Sequence, residues 1–79
     1  MIVVRYFAAA AEAAGRETEH VSAGTLADLR QDVVGRHGPE LERVLARCSF
    51  LVAGRRCDDG ATTLPDGTTV DVLPPFAGG

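Results

Sequence analysis

The sequence predicts an α+β domain, with a mixed sheet of about five strands, one main helix across one face and short extra helices. Three observations lead there. Strand-like alternation opens the chain at residues 2–8 and closes it at residues 69–73, two of its most β-branched stretches. Between them, helical spacing runs from Leu26 towards Arg47. The resulting order is strand, strand, helix, strand, short strand, strand. It lets the first pair lie antiparallel, lets a helix cross the sheet, and leaves the last strand needing a buried neighbour. Residues 2–8 are the natural partner. The arrangement is the one called a β-grasp.

In residues 2–8, Ile2, Val4 and Tyr6 point one way and Val3, Arg5 and Phe7 the other. Arg5 marks the second face as at least partly wet, which leaves Phe7 an aromatic on the solvent side. The alanine-rich stretch 8–14 predicts one or two helical turns ending at Gly15. Residues 17–22 form a second strand. Thr25 is a good N-cap, with Asp28 three residues on, and Leu26, Leu29, Val33 and Val34 fall on one helical face. Gly38-Pro39 ends this helix, and Pro39 starts a shorter one to about Arg47, with Leu41, Val44 and Leu45 inward. Strands return with residues 50–53, a turn at Gly54-Arg55 and a short return strand at residues 55–57. After the Pro65-Asp66-Gly67 turn, Val70 and Val72 face inward while Asp71 and Leu73 face out. With the first and last strands adjacent, Phe7 and Leu73 share the outer face near Phe76, a patch suited to docking. Cover by a loop or by the Ala9–Ala14 turn is the alternative.

Composition narrows the function classes. At 79 residues the chain holds one domain near the lower size for a single core, here residues 1–73 with a tail at 74–79. A formal charge of −3 argues against nucleic acid, which needs a basic face. No apolar stretch is long enough to span a membrane. The apolar opening lacks a preceding positive charge and is interrupted by Arg5, so it reads as a strand and not a signal peptide. The expectation is a cytoplasmic protein. All 8 basic residues are arginine, so no side-chain amine exists to receive an isopeptide-linked tag; in any conjugation the chain would be the donor. Cys48 and Cys57 are read as reduced structural thiols. A bridge across a hairpin is the alternative that geometry decides. Asp58 and Asp59 are too few for a cation site, and no metal is expected.

The most informative stretch is Pro74-Pro75-Phe76-Ala77-Gly78-Gly79. Gly78 and Gly79 have no Cβ, so they could thread a channel that rejects any other residue. Pro74 and Pro75 fix φ and favour an extended exit. At about 3 Å per residue, the six residues reach roughly 15–20 Å. This is a flexible Gly-Gly tail on a stiff base, suited to delivering a carboxylate into another protein's active site.

The chain resembles the MoaD/ThiS family of ubiquitin-like sulfur carriers, and within it the small subunits of molybdopterin synthase. The likeness rests on Val4-Arg5-Tyr6-Phe7-Ala8, the Leu26–Leu29 stretch, the Leu64-x-Asp66-Gly67 turn, Val70-x-Val72-Leu73 and the closing Pro-Pro-x-x-Gly-Gly. The family often has Asn where this chain reads Val52-Ala53-Gly54, so the turn is expected to be rearranged around Gly54. The resemblance implies a protein that is not catalytic alone and binds no cofactor. Gly79 would be the reacting residue, first an acyl-adenylate and then a thiocarboxylate, with Gly78 giving passage. Phe7, Leu73, Pro74, Pro75, Phe76 and Ala77 would meet the partner. Implied partners are a MoeB-like, E1-type adenylating enzyme that uses ATP, a persulfide sulfur donor, and a MoaE-like large subunit in a heterotetramer. The acceptor would be cyclic pyranopterin monophosphate. Other readings are a sulfur carrier for thiamine or cysteine synthesis, a ubiquitin-like protein modifier, and an inert interaction domain.

Overall fold

In a computed structural model, whose described residues are 1–75, the first and last strands lie side by side within one five-stranded sheet. The elements are β1 (Ile2–Tyr6), α1 (Ala9–Ala14), β2 (Thr18–Val21), α2 (Leu26–His37), α3 (Pro39–Leu45), β3 (Ser49–Val52), β4 (Arg55–Arg56) and β5 (Thr69–Leu73). The strand order is β2-β1-β5-β3-β4. Only β1 and β5 run parallel, with Val4 opposite Val70; the other pairs are antiparallel. The β-grasp expectation is met, with β5 as the middle strand.

Alternation decides which side is dry. Ile2, Val4 and Tyr6 of β1 and Val70 and Val72 of β5 are buried with Leu26, Leu29 and Val33 of α2 and Leu41 and Leu45 of α3. Branched residues on a pleated surface meet helical residues at 3.6-residue spacing, and that shared seam is the core. The caps are those the sequence implies. Thr25 Oγ1 accepts from the Asp28 N–H at 3.2 Å, and Gly15, at φ 74°, closes α1. Pro39 opens α3.

Two turns differ from expectation. The β3–β4 turn is centred on Ala53-Gly54, one residue before the predicted position, with φ of 51° and 82°. Two successive positive φ values match the twist of a tight hairpin. Arg55 therefore belongs to β4, opposite Val52. The second is at Ala8, with φ 52° and ψ −124°, where the carbonyl of Phe7 accepts from the Ala10 N–H at 3.1 Å. That is the geometry of a turn whose first central position favours glycine. The alanine run conceals it.

Candidate functional site

β1 and β5 carry a face that the helices leave open. Alternation turns Val3 and Arg5 of β1, and then Phe7, away from the core, with Thr69, Asp71 and Leu73 of β5 on the same side. Arg5 stands opposite Asp71 in the parallel ladder. Its Nε donates to Oδ1 at 2.6 Å and its Nη2 to Oδ2 at 2.8 Å. This is a charge-assisted, two-point contact, and it settles a carboxylate that is only 9% exposed in the middle of the sheet. The hydrogen bonds and charge of Asp71 hold Arg5 even more firmly protonated than usual. The guanidinium carbon lies 5.7 Å from the centre of the Phe7 ring, within reach of a cation–π contact. One cation thus joins a buried acid to an exposed aromatic.

Phe7 is 39% exposed, and its backbone N–H donates to the Val72 carbonyl at 3.2 Å, continuing the β1–β5 pairing by one residue. The sharp turn at Ala8 then carries the chain round to the helical side, where Ala10 and Ala14 of α1 join the core. α1 therefore does not cover the aromatic. Leu73, half-buried, completes this side of β5.

From Leu73 the chain enters the tail root. Pro74 is half-buried and Pro75 exposed. With Ala9, Glu40, Arg43, Val44 and Arg47 they line a groove of about 560 Å³ beside α1 and α3. The two prolines therefore belong to a surface that sequence reasoning did not anticipate. Phe76, Ala77, Gly78 and Gly79, which carry the remaining site expectations, lie outside the described residues.

The cysteines are not cross-strand partners. The Cys57 N–H donates to the Phe50 carbonyl at 2.9 Å, so Cys57 faces Phe50 and stands diagonal to Cys48. Both are free. Burial pushes the Cys48 thiol up, against the opposing charge of Arg30, and the thiol donates to the Val44 carbonyl at 3.1 Å. A thiol so held is a weak nucleophile at neutral pH. Among the described residues, no group of three or more His, Cys, Asp or Glu side chains is placed to hold a metal ion. Nor is any helix among them long and apolar enough to cross a membrane.

Glu19 is the polar residue that the sequence reading missed. It alternates inward with Val21 on β2 and is 4% exposed. The Tyr6 hydroxyl donates to its Oε1 at 2.8 Å, His37 Nε2 lies 2.8 Å from the same oxygen, and Arg36 Nη1 donates to Oε2 at 3.3 Å. Burial pushes the carboxyl up, but the bonds from His37 and Tyr6 outweigh it and hold Glu19 below its ordinary value. Burial and the Glu19 bond also raise the Tyr6 phenol. These groups join β1, β2 and the end of α2, on the side away from Phe7. They hold the fold.

The family model described as the ThiS family matches residues 4–79. No curated protein matches the sequence. Among solved structures, SAMP1 from Haloferax volcanii is 28% identical, with a TM-score of 0.84 over 99% of this chain and 98% of that one. A putative molybdopterin converting factor, subunit 1, from Pyrococcus furiosus is 26% identical, with a TM-score of 0.84 over 95% of this chain and 97% of that one. A third likeness is to a protein–protein complex of subunits 1 and 2 of the molybdopterin-converting factor from Helicobacter pylori. It is 27% identical, covering 99% of this chain and 97% of that chain, with a TM-score of 0.74.

Proposed function

Because this chain belongs to the ThiS family of ubiquitin-like sulfur carriers, we propose that it is the sulfur-donating small subunit of a molybdopterin synthase. The observation that carries the reading is that the family match extends through residue 79 and so takes in Gly78-Gly79. The likeness to molybdopterin converting factor chains supports it.

A carboxylate is a poor electrophile, so it must first be activated. The Gly79 carboxylate attacks the α-phosphorus of ATP on an E1-like, MoeB-like enzyme, and pyrophosphate leaves. The terminal sulfur of a persulfide then attacks the acyl carbon, and AMP leaves. A second thiol cleaves the resulting acyl disulfide, which releases a Gly79 thiocarboxylate and a disulfide. Covalent capture divides one hard transfer into easier ones. Gly78 lets the end pass, Pro74 and Pro75 aim it, and Phe76 and Ala77 contact the receiving channel. Phe7 and Leu73 dock on a MoaE-like subunit in a heterotetramer, where sulfur passes to cyclic pyranopterin monophosphate. The proton-handling groups belong to the partners. Dependence on ATP and reduced thiols locates the reaction in the cytoplasm.

The likeness to SAMP1 favours a second reading, in which Gly79 ends in an isopeptide bond on a target lysine. Mass spectrometry of the C-terminal peptide, after incubation with ATP, an E1-like enzyme and a sulfur source, separates the two. Exchange of one oxygen for sulfur supports the carrier. A lysine adduct supports the modifier, and an unchanged peptide in the presence of active enzyme removes both. Transfer to the pterin acceptor, and not to a thiamine or cysteine precursor, identifies the pathway.

A further inference from the structure

We infer that the groove at the tail root is a second docking surface, separate from the open sheet face, and that it takes an acidic, aliphatic segment of the enzyme acting on the tail. The inference rests on the carrier reading above and deepens it. Ala9, Val44, Pro74 and Pro75 give the groove an apolar lining, Arg43 and Arg47 give it positive charge, and Glu40 gives it one opposing carboxylate. Arg5, Arg16, Arg36 and Arg56 each contact a carboxylate at 2.6–3.6 Å. Arg43 and Arg47, like Arg30 and Arg55, have no such partner among the described residues; Arg43 and Arg47 are exposed and are the two that lie together in the groove. Two arginines against the single carboxylate of Glu40 therefore leave the groove, among the described residues, net positive on a chain of net charge −3.

That contrast orients a partner. An acidic segment is repelled by the chain as a whole and attracted here, so the contact sets how the carrier is held. Reach sets where. The four residues after Pro75 span at most about 14 Å, so an enzyme that engages Gly79 brings its own surface close to Arg43 and Arg47. Apolar side chains on the partner would meet Val44 and the prolines while its carboxylates meet the guanidinium groups.

The test has two arms. In the first, the E1-like adenylating enzyme of the same genome is assayed by ATP–pyrophosphate exchange with the full chain. Arg43→Glu/Arg47→Glu should raise the carrier KM about 10-fold with kcat unchanged, as expected for lost charge complementarity. Arg30→Glu/Arg55→Glu, which reverses two arginines outside the groove, should leave KM as it was. An unchanged KM for the groove variant overturns the inference. If the wild-type chain supports no exchange, the carrier reading falls, and the second arm decides the groove alone. There, a synthetic peptide of alternating Glu and Leu is titrated into the isotopically labelled full chain. Amide shifts at Ala9, Val44 and Arg47, lost in Arg43→Glu/Arg47→Glu and with a Lys-Leu peptide, support the inference. Shifts confined to the sheet face, or none, overturn it. So do close contacts between the Phe76 ring and Val44 in the free chain, which would give the groove to the tail. Groove shifts that depend on protein concentration would give it to a second copy and overturn it equally.

Discussion

Arg5 bonds Asp71 at two points across the parallel β1–β5 pair, and it does so on the face that carries no helix. The same guanidinium lies against Phe7, so the exposed ring is braced from within the sheet. Phe7→Asp is expected to weaken binding to the proposed MoaE-like partner by at least about 10-fold, as for an aromatic anchor, and to lower stability by about 1 kcal/mol or less. Titration calorimetry set beside urea denaturation checks this. Equal losses in the two would move Phe7 from docking to folding.

Breaking the Arg5–Asp71 pair should act on the same ring. Asp71→Asn removes the charge that fixes Arg5, and partner binding should fall in the same direction as for Phe7→Asp, by less. Because Arg5 is half-exposed, the effect on stability is screened and should shrink further in high salt. A variant that binds as well as wild type would show that the ring needs no brace.

Glu19 gives the fold an acid-sensitive joint. Its carboxyl sits below its ordinary value when folded, so it contributes stability above the unfolded carboxylate range near pH 4.3. That contribution is lost as pH falls through the folded value. Glu19→Ala should cost about 2 kcal/mol at neutral pH, since Tyr6 and His37 lose their acceptor. The gap between wild type and variant should narrow on acidification. Urea midpoints measured across the acid range decide it, and a gap independent of pH would assign the loss to packing.

Two alanines sit where their backbone is strained, and relieving them should stabilise the domain. Ala8→Gly fits φ 52°, ψ −124° without a Cβ, and Ala53→Asn suits φ 51° in the hairpin turn. Each is expected to add about 1 kcal/mol, the strain released less any added chain entropy. The urea midpoint should rise with an unchanged slope. A fall in both variants would mean that these turns are relaxed as they stand.

Cys48 should react more slowly with thiol reagents in the folded protein than in urea, because burial raises its thiol and leaves little thiolate. Cys48→Ser and Cys57→Ser proteins that still fold should load sulfur normally. Failure of either would point to a persulfide relay through that cysteine.

Much of this was legible in the sequence where one periodicity dominates. The alternation of Ile2, Val4 and Tyr6 and the spacing of Leu26, Leu29 and Val33 each bury one face, and burial is what patterning encodes. The β1–β5 pairing followed from two β-branched stretches needing each other. Arg5 was read only as a sign of a wet face, although its Asp71 partner was already implied by that pairing. Glu19 had a signal in its alternation with Val21, but a carboxylate facing a core is disfavoured unless distant donors converge on it. Those donors come from β1 and α2, and no local pattern announces them. The groove escaped for a related reason, since it joins residues 9, 40–47 and 74–75 through helix packing alone.

The place of β5 between β1 and β3 also decides how the domain bears load. Tension applied through Pro74 runs along the strand axis, across ladders on both flanks, so the bonds must slip together and cannot be peeled one by one. A machine that draws the last residues into a narrow tunnel can therefore haul on them without unravelling what it holds.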